Sequence, residues 1–112
     1  MEEEGFWVSV LALEALAPNN LHPIQHGQRR VALFNIDGEI FATDDICSPD
    51  LAYLTDGQIE DDHITLPFED ERFNIRTGRV SNAQVDHRIK TYPVRVLNGN
   101  IEIRVGKSLG RF

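Results

Sequence analysis

With 112 residues, 41% of them hydrophobic and 26% charged, the chain has the composition of one ordinary globular domain, which excludes wholesale disorder and a tandem architecture. Its formal charge of -7, with 11 Lys and Arg dispersed among 18 Asp and Glu, offers no basic patch for phosphate neutralisation and excludes nucleic acid as a partner. No apolar stretch approaches the ~20 residues of a spanning helix, the start Met1-Glu2-Glu3-Glu4 is too acidic for a targeting leader, and one cysteine makes no internal disulfide, so a cytoplasmic protein without a membrane anchor is expected.

The elements then follow in chain order. Phe6-Trp7-Val8-Ser9-Val10 reads as a first strand, and the Ala/Leu/Glu run behind it as a single helical turn ending near Pro18-Asn19-Asn20. Residues 21–26 form a short second strand. Val31-Ala32-Leu33-Phe34-Asn35-Ile36 meets Asp37-Gly38 and then Glu39-Ile40-Phe41-Ala42-Thr43, and an Asp-Gly pair between β-rich runs is the strongest short hairpin signal. Asp56-Gly57 and Asp61-Asp62 separate short runs at residues 58–60 and 63–66, and Thr77-Gly78 follows Phe73-Asn74-Ile75. The last unit, residues 92–105, is a hairpin with an Asn98-Gly99 turn, whose alternation turns Val94, Val96, Ile101, Ile103 and Val105 to the core. Roughly eight to ten short strands and no long amphipathic helix make the class all-β, a small sandwich or barrel. Residues 1–112 read as one domain, with 1–4 and 106–112 as loose termini.

Two short Pro-containing segments stand apart: Cys47-Ser48-Pro49-Asp50 and, after a gap of sixteen residues from Pro49, Leu66-Pro67-Phe68-Glu69. They have the layout of ligand loops. Taken in order with Asp37-Gly38-Glu39-Ile40-Phe41-Ala42, Arg72-Phe73-Asn74, Thr77-Gly78 and Tyr92-Pro93-Val94, they make the chain from about residue 29 to residue 105 resemble the Rieske ferredoxins. The likeness is greatest to the ferredoxin components of bacterial aromatic-ring-hydroxylating dioxygenases. It implies a Rieske-like β domain with a loop subdomain at one tip, where Cys-x-His and Cys-Pro-x-His motifs hold a [2Fe-2S] cluster.

Carried over residue by residue, the family's four ligand positions are occupied by Cys47, Pro49, Leu66 and Glu69. Such a cluster takes two thiolates on one iron and two imidazoles on the other. Pro and Leu carry no donor and the chain has no second cysteine, so the expectation is that no [2Fe-2S] cluster or other cofactor is bound. A different metal held by Cys47, Asp50, Glu69 and Asp70 has no recognisable spacing behind it, and solvated loop acids with a small buried thiol are the commoner arrangement.

The same loops carry an interaction reading. Phe68 beside Glu69, Asp70 and Glu71 makes an apolar anchor with an acidic rim, as docking patches are built, and Asp50 is a further candidate contact. The alternative is loop residues without a partner. His22 and His26 on an extended segment, and His63 and His87 without a Ser or Cys partner at catalytic spacing, form no active site. Asp44, Asp45 and Asp50 would hold the Cys47 thiol protonated, and pairs such as Asp61-Asp62 are ordinary turn formers. The expectation is therefore a non-enzymatic, cluster-free accessory or interaction subunit that meets an oxygenase or reductase. A carrier with another centre at the tip, or a structural subunit of a larger oxidoreductase, are the alternatives.

Overall fold

The computed structural model describes residues 5–45, 53–65, 72–81 and 89–106. These residues form eleven strands: β1 (Gly5–Ala12), β2 (Asn20–His26), β3 (Arg29–Ile36), β4 (Glu39–Asp44), β5 (Gln58–Glu60), β6 (His63–Thr65), β7 (Arg72–Asn74), β8 (Val80–Ser81), β9 (Thr91–Tyr92), β10 (Val94–Leu97) and β11 (Asn100–Gly106). Short 3-10 turns at Leu13–Ala15 and Leu54–Asp56 are the helical segments among the described residues. No helix there is long and apolar enough to cross a membrane.

Three antiparallel sheets result, in the orders β1-β11-β10, β2-β3-β4-β9 and β5-β6-β7-β8. Asp37 and Asn98, each followed by Gly, take φ of 54° and close the two hairpins expected from their dipeptides. From the Asp37-Gly38 turn the register runs Ile36↔Glu39 to Val31↔Asp44 without interruption. The helical turn expected after β1 is the segment Leu13–Ala15, held by the Leu13 N–H on the Gly99 carbonyl at 2.9 Å.

β3 decides how the sheets are joined. Its apolar run is almost continuous because both faces are buried. Ala32, Phe34 and Ile36 pack with Leu54, Ile64, Phe73, Ile75 and Ile89 in one core, and Val31 and Leu33 with Leu16, Ala42, Tyr92, Ile101, Ile103 and Val105 in the other. Asn35 lies on the second face, where its Nδ2 donates to the Leu16 carbonyl at 2.8 Å and its Oδ1 accepts from the Gly38 N–H at 2.7 Å. One strand is thus the common wall of the base sandwich and the small sheet β5–β8. The cross-strand row Ile59↔Ile64↔Phe73 gives that small sheet its apolar face.

Several expectations need correction. The run at residues 92–97 is not one strand: Thr91 and Tyr92 pair with β4, whereas Val94–Leu97 pairs with β11 in another sheet. Pro93 lies between, and with no N–H to donate it is a natural place to change sheets. Ile101, Ile103 and Val105 are buried as expected, but Val96 is 45% exposed, because β10 is the edge strand of its sheet. Gly106 is not part of a loose terminus; it pairs with Gly5 at the end of β11.

Candidate functional site

Every residue predicted for the tip, Cys47, Pro49, Asp50, Leu66, Phe68, Glu69 and Asp70, lies in segments 46–52 and 66–71, outside the described residues. The structure describes the roots of those two segments. The first leaves β4 after Asp45 and returns at Tyr53, from which the Leu54–Asp56 turn leads through Gly57 into Gln58 of β5. The second leaves β6 after Thr65 and returns into β7 at Arg72. Gln58, Thr65 and Arg72 stand side by side across the sheet, since Gln58 pairs with Thr65 and Thr65 with Arg72. The second segment therefore springs from the same end of the small sheet at which the chain returning from the first enters β5.

The first root is closed by Asp45, which is fully buried at 0% exposure. Its Oδ2 accepts from Arg30 Nε at 2.6 Å and from Thr55 Oγ1 at 2.9 Å, and its Oδ1 accepts from the Thr55 N–H at 2.9 Å. The backbone repeats the pattern: Asp45 N–H donates to the Arg30 carbonyl at 3.0 Å, and Leu54 N–H to the Asp45 carbonyl at 2.7 Å. The Arg30 guanidinium also lies 4.1 Å from the centre of the Tyr53 ring. A buried carboxylate is tolerated only when its oxygens are satisfied in this way.

One residue back, Asp44 forms a second polar group. Arg29 Nη1 reaches both of its carboxylate oxygens at 3.1 Å, and Tyr92 Oη donates to Oδ1 at 2.5 Å. Burial, reinforced by the hydrogen bond to the Asp44 carboxylate, pushes the Tyr92 hydroxyl well above its ordinary range, so it stays a donor. Burial alone would lower the Arg29 guanidinium, but Tyr92 and Asp44 together hold it above its ordinary value. In both groups a side-chain carboxylate is held in place by oriented hydrogen bonds from neighbouring donors.

The far side of the small sheet is tied to the base by the stretch Arg72-Phe73-Asn74-Ile75-Arg76-Thr77-Gly78. Asn74 Oδ1 caps the turn by accepting the N–H groups of Arg76 at 2.9 Å and Thr77 at 3.0 Å. Arg76 then reaches Glu39 at 3.2 Å and Asp62 at 3.6 Å while its guanidinium lies 4.8 Å from the Phe41 ring. Gly78 takes φ of 78° and receives the Ile89 N–H on its carbonyl at 2.7 Å. His63 pairs with Asp62 at 3.0 Å, and His22 and His26 lie in β2 opposite Leu33 and Arg29.

The sequence reading treated Asp44 and Asp45 only as acids near Cys47 and missed them as the root of the loop. The signal was present. Counted back from the Asp37-Gly38 turn, the hairpin register sets Arg30 opposite Asp45, so Arg29-Arg30 and Asp44-Asp45 close the same end of one hairpin. Thr55 and Tyr92 carry no comparable local signal.

Comparison with known proteins gives the family. Residues 6–104 match the Rieske-like [2Fe-2S] domain. The ferredoxin component of the naphthalene 1,2-dioxygenase system of Pseudomonas putida is 33% identical over 97 residues, 87% of this chain and 93% of that protein. Among solved structures, the Sphingomonas yanoikuyae B1 ferredoxin superposes with a TM-score of 0.80 at 29% identity, over 89% of this chain and 99% of that one. A putative nitrite reductase NADPH small subunit superposes with a TM-score of 0.73 at 25% identity, over 88% of this chain and 97% of that one.

These matches overturn the expectation that the chain takes no cofactor. The family is one of [2Fe-2S] domains and the naphthalene relative is named a ferredoxin component, so a [2Fe-2S] cluster is the group to be expected of a member. The error came from letting four positions decide against a likeness that runs through residues 6–104. The donor chemistry at those four positions stands as read: Cys47 offers a thiol and Glu69 a carboxylate, while Pro49 and Leu66 offer nothing. By themselves they do not fit the family's set of two thiolates and two imidazoles. Matched over nearly its whole length and with the same all-β architecture, the chain belongs to the Rieske-like [2Fe-2S] domain family.

Proposed function

We propose that the chain acts as one Rieske-like domain, a non-catalytic component of a multi-protein oxygenase system, and docks on an oxygenase or reductase partner through its tip. The contacts come from Asp50, Phe68, Glu69 and Asp70. Phe68 serves as the apolar anchor, and the three acids form a rim that fits a basic face on the partner. The observation that carries this reading is that the second segment springs from the end of the small sheet where the chain returning from the first enters β5, in a chain whose naphthalene relative is named the ferredoxin component of a dioxygenase system.

The test is direct binding of the purified chain, on a sensor surface, to the separate oxygenase and reductase components of a naphthalene-type dioxygenase system. Salt-sensitive binding to at least one component is expected, weakened about tenfold or more by Phe68→Ala or by Glu69→Lys with Asp70→Lys. If neither component binds at low salt, or if the tip variants bind as the parent does, the proposal fails.

A second reading is supported by the likeness to a reductase small subunit: a subunit held permanently in a larger oxidoreductase. Gel filtration of extract from the native host separates the two. A transient component elutes near the size of the chain alone, and a permanent subunit elutes with the large enzyme.

A further inference from the structure

Among the described residues six strands end a sheet: β1, β10, β2, β9, β5 and β8. Five of them are poor templates for another strand. β1 is interrupted by a shift of register between Ser9 and Leu11, and β2 carries Pro23 in its middle. β8 and β9 are two residues long, and β5 is three residues long with Gln58 and Glu60 exposed on either side of Ile59. These are the usual means by which an edge is closed. β10 has none of them. Its register with β11 runs unbroken from Val94 to Leu97, and Val96 and Leu97 are 45% and 44% exposed.

The ladder fixes which backbone groups that edge offers. Arg104 N–H donates to the Pro93 carbonyl at 3.0 Å, so by alternation Pro93, Arg95 and Leu97 turn their backbone groups toward β11, and Val94 and Val96 turn theirs outward. A second β10 running antiparallel, with Val96 opposite its own counterpart, sets these outward groups face to face. Each Val96 N–H then meets the carbonyl of the other Val96, in a reciprocal pair on a two-fold axis.

The side chains match in the same register. On the inner face the row Leu11↔Ile101↔Val96 continues through the second Val96 into the second Ile101. On the outer face Arg95 comes opposite the second copy's Leu97. Its charge is already answered by Glu102 at 2.7 Å and by the Trp7 ring, whose centre is 4.4 Å from the guanidinium, which leaves the aliphatic stem for that leucine. Moving the axis to Arg95 would instead set like charges directly opposite and bring together backbone groups that face β11. The edge is therefore complementary to itself, in one register.

We propose that β10 is a self-association edge: two copies of this chain join antiparallel along Val94–Leu97 about a two-fold axis at Val96, and their three-stranded sheets become one continuous sheet. Each copy carries a net charge of -7, so the contact forms against mutual repulsion and strengthens as salt is raised. Docking through the tip weakens with salt, so either proposal can fail without the other.

The test is sedimentation equilibrium of the full chain from about 10 µM to about 1 mM, at low and high salt, with amide exchange in β10 as a second readout. The average mass should climb from that of one chain toward that of two, and farther at high salt. Over the same range the Val96 amide should exchange severalfold more slowly, while those of Arg95 and Leu97, facing β11, stay unchanged. Val96→Lys and Leu97→Lys, both at exposed positions, should each weaken association by about tenfold or more, although each lowers the net negative charge. Gln25→Lys on β2 makes the same change of charge at another exposed position and should associate no more weakly than the parent. A mass of one chain throughout, growth past two chains, or equal association of Val96→Lys and Gln25→Lys overturns the proposal. So does a Val96 amide that slows only when an oxygenase or reductase component is added, since β10 would then receive a partner's strand and not a second copy.

Discussion

The carbonyl of Gly78 accepts the Ile89 N–H at 2.7 Å, and the approach leaves no room for a side chain: a Cβ on Gly78 would stand 2.2 Å from the Ile89 carbonyl oxygen. The backbone φ of 78° adds a second demand, since an L-residue loses roughly 1 to 2 kcal/mol in the left-handed region. Gly78→Ala is expected to destabilise by about 3 kcal/mol or more, because the obstructing atom is backbone and cannot swing away. Urea denaturation at constant slope would show it. A loss under about 1 kcal/mol would mean that the contact between the small sheet and the returning chain relaxes freely.

Tyr92→Phe keeps the ring in its core and removes the hydroxyl that donates to Asp44. The expected loss near pH 7 is about 1 to 2 kcal/mol, because a hydrogen bond to a charged acceptor is removed while Arg29 remains on the carboxylate. The pH dependence follows from the raised pKa of Tyr92. The folded state holds its proton more tightly than the unfolded chain, so the stabilisation is fully present below the ordinary value of 10.0 and is lost as pH rises through the folded pKa. The melting temperature of the parent should therefore fall more steeply than that of Tyr92→Phe above about pH 10. Parallel curves would contradict the assignment.

Arg76 bridges the small sheet and the β3–β4 hairpin, but its side chain is 43% exposed. Its ion pairs to Glu39 and Asp62 are correspondingly screened, and most of its contribution comes from lying over Phe41. Arg76→Ala is expected to lose about 1 kcal/mol, and Arg76→Lys nearly as much, because an ammonium does not stack as a planar guanidinium does. Thermal melts at low and high salt should differ little between parent and variants. A strongly salt-dependent difference would shift the credit to the ion pairs.

Cluster binding can be addressed through the scaffold. Converting Pro49→His, Leu66→Cys and Glu69→His together supplies the family's donor set on the existing loop roots. Reconstitution of this variant with iron and sulfide is expected to give the absorption and EPR signature of a Rieske centre. Failure of the folded variant to take up a cluster would show that the two roots do not hold the loops at the family's separation.

Much of the base framework was legible without coordinates. Strand alternation and the Asp37-Gly38 and Asn98-Gly99 dipeptides act within a few residues, so they set the hairpins and their registers locally, down to Arg30 facing Asp45. The combination of separately weak stretches, from Asp37-Gly38 to Tyr92-Pro93, carried the family. What it did not carry was the meaning of four single positions, where the absence of donors at Pro49 and Leu66 was taken to decide against a cofactor for a chain of a [2Fe-2S] family.

The rest belonged to the tertiary structure. The continuous apolar run of β3 hints at two buried faces, but which sheets cover them, and that the chain changes sheet at Pro93, is not written in a local pattern, because each depends on which sheets stack. The same holds for the polar groups: Tyr92 meets Asp44 across 48 residues and Thr55 meets Asp45 across 10. Amino-acid order determines the strands and the hairpins that propensity and turn chemistry can specify at short range. Only the folded chain brings distant donors onto a buried carboxylate, since burial itself, which makes those bonds directional and strong, does not exist until the sheets have closed.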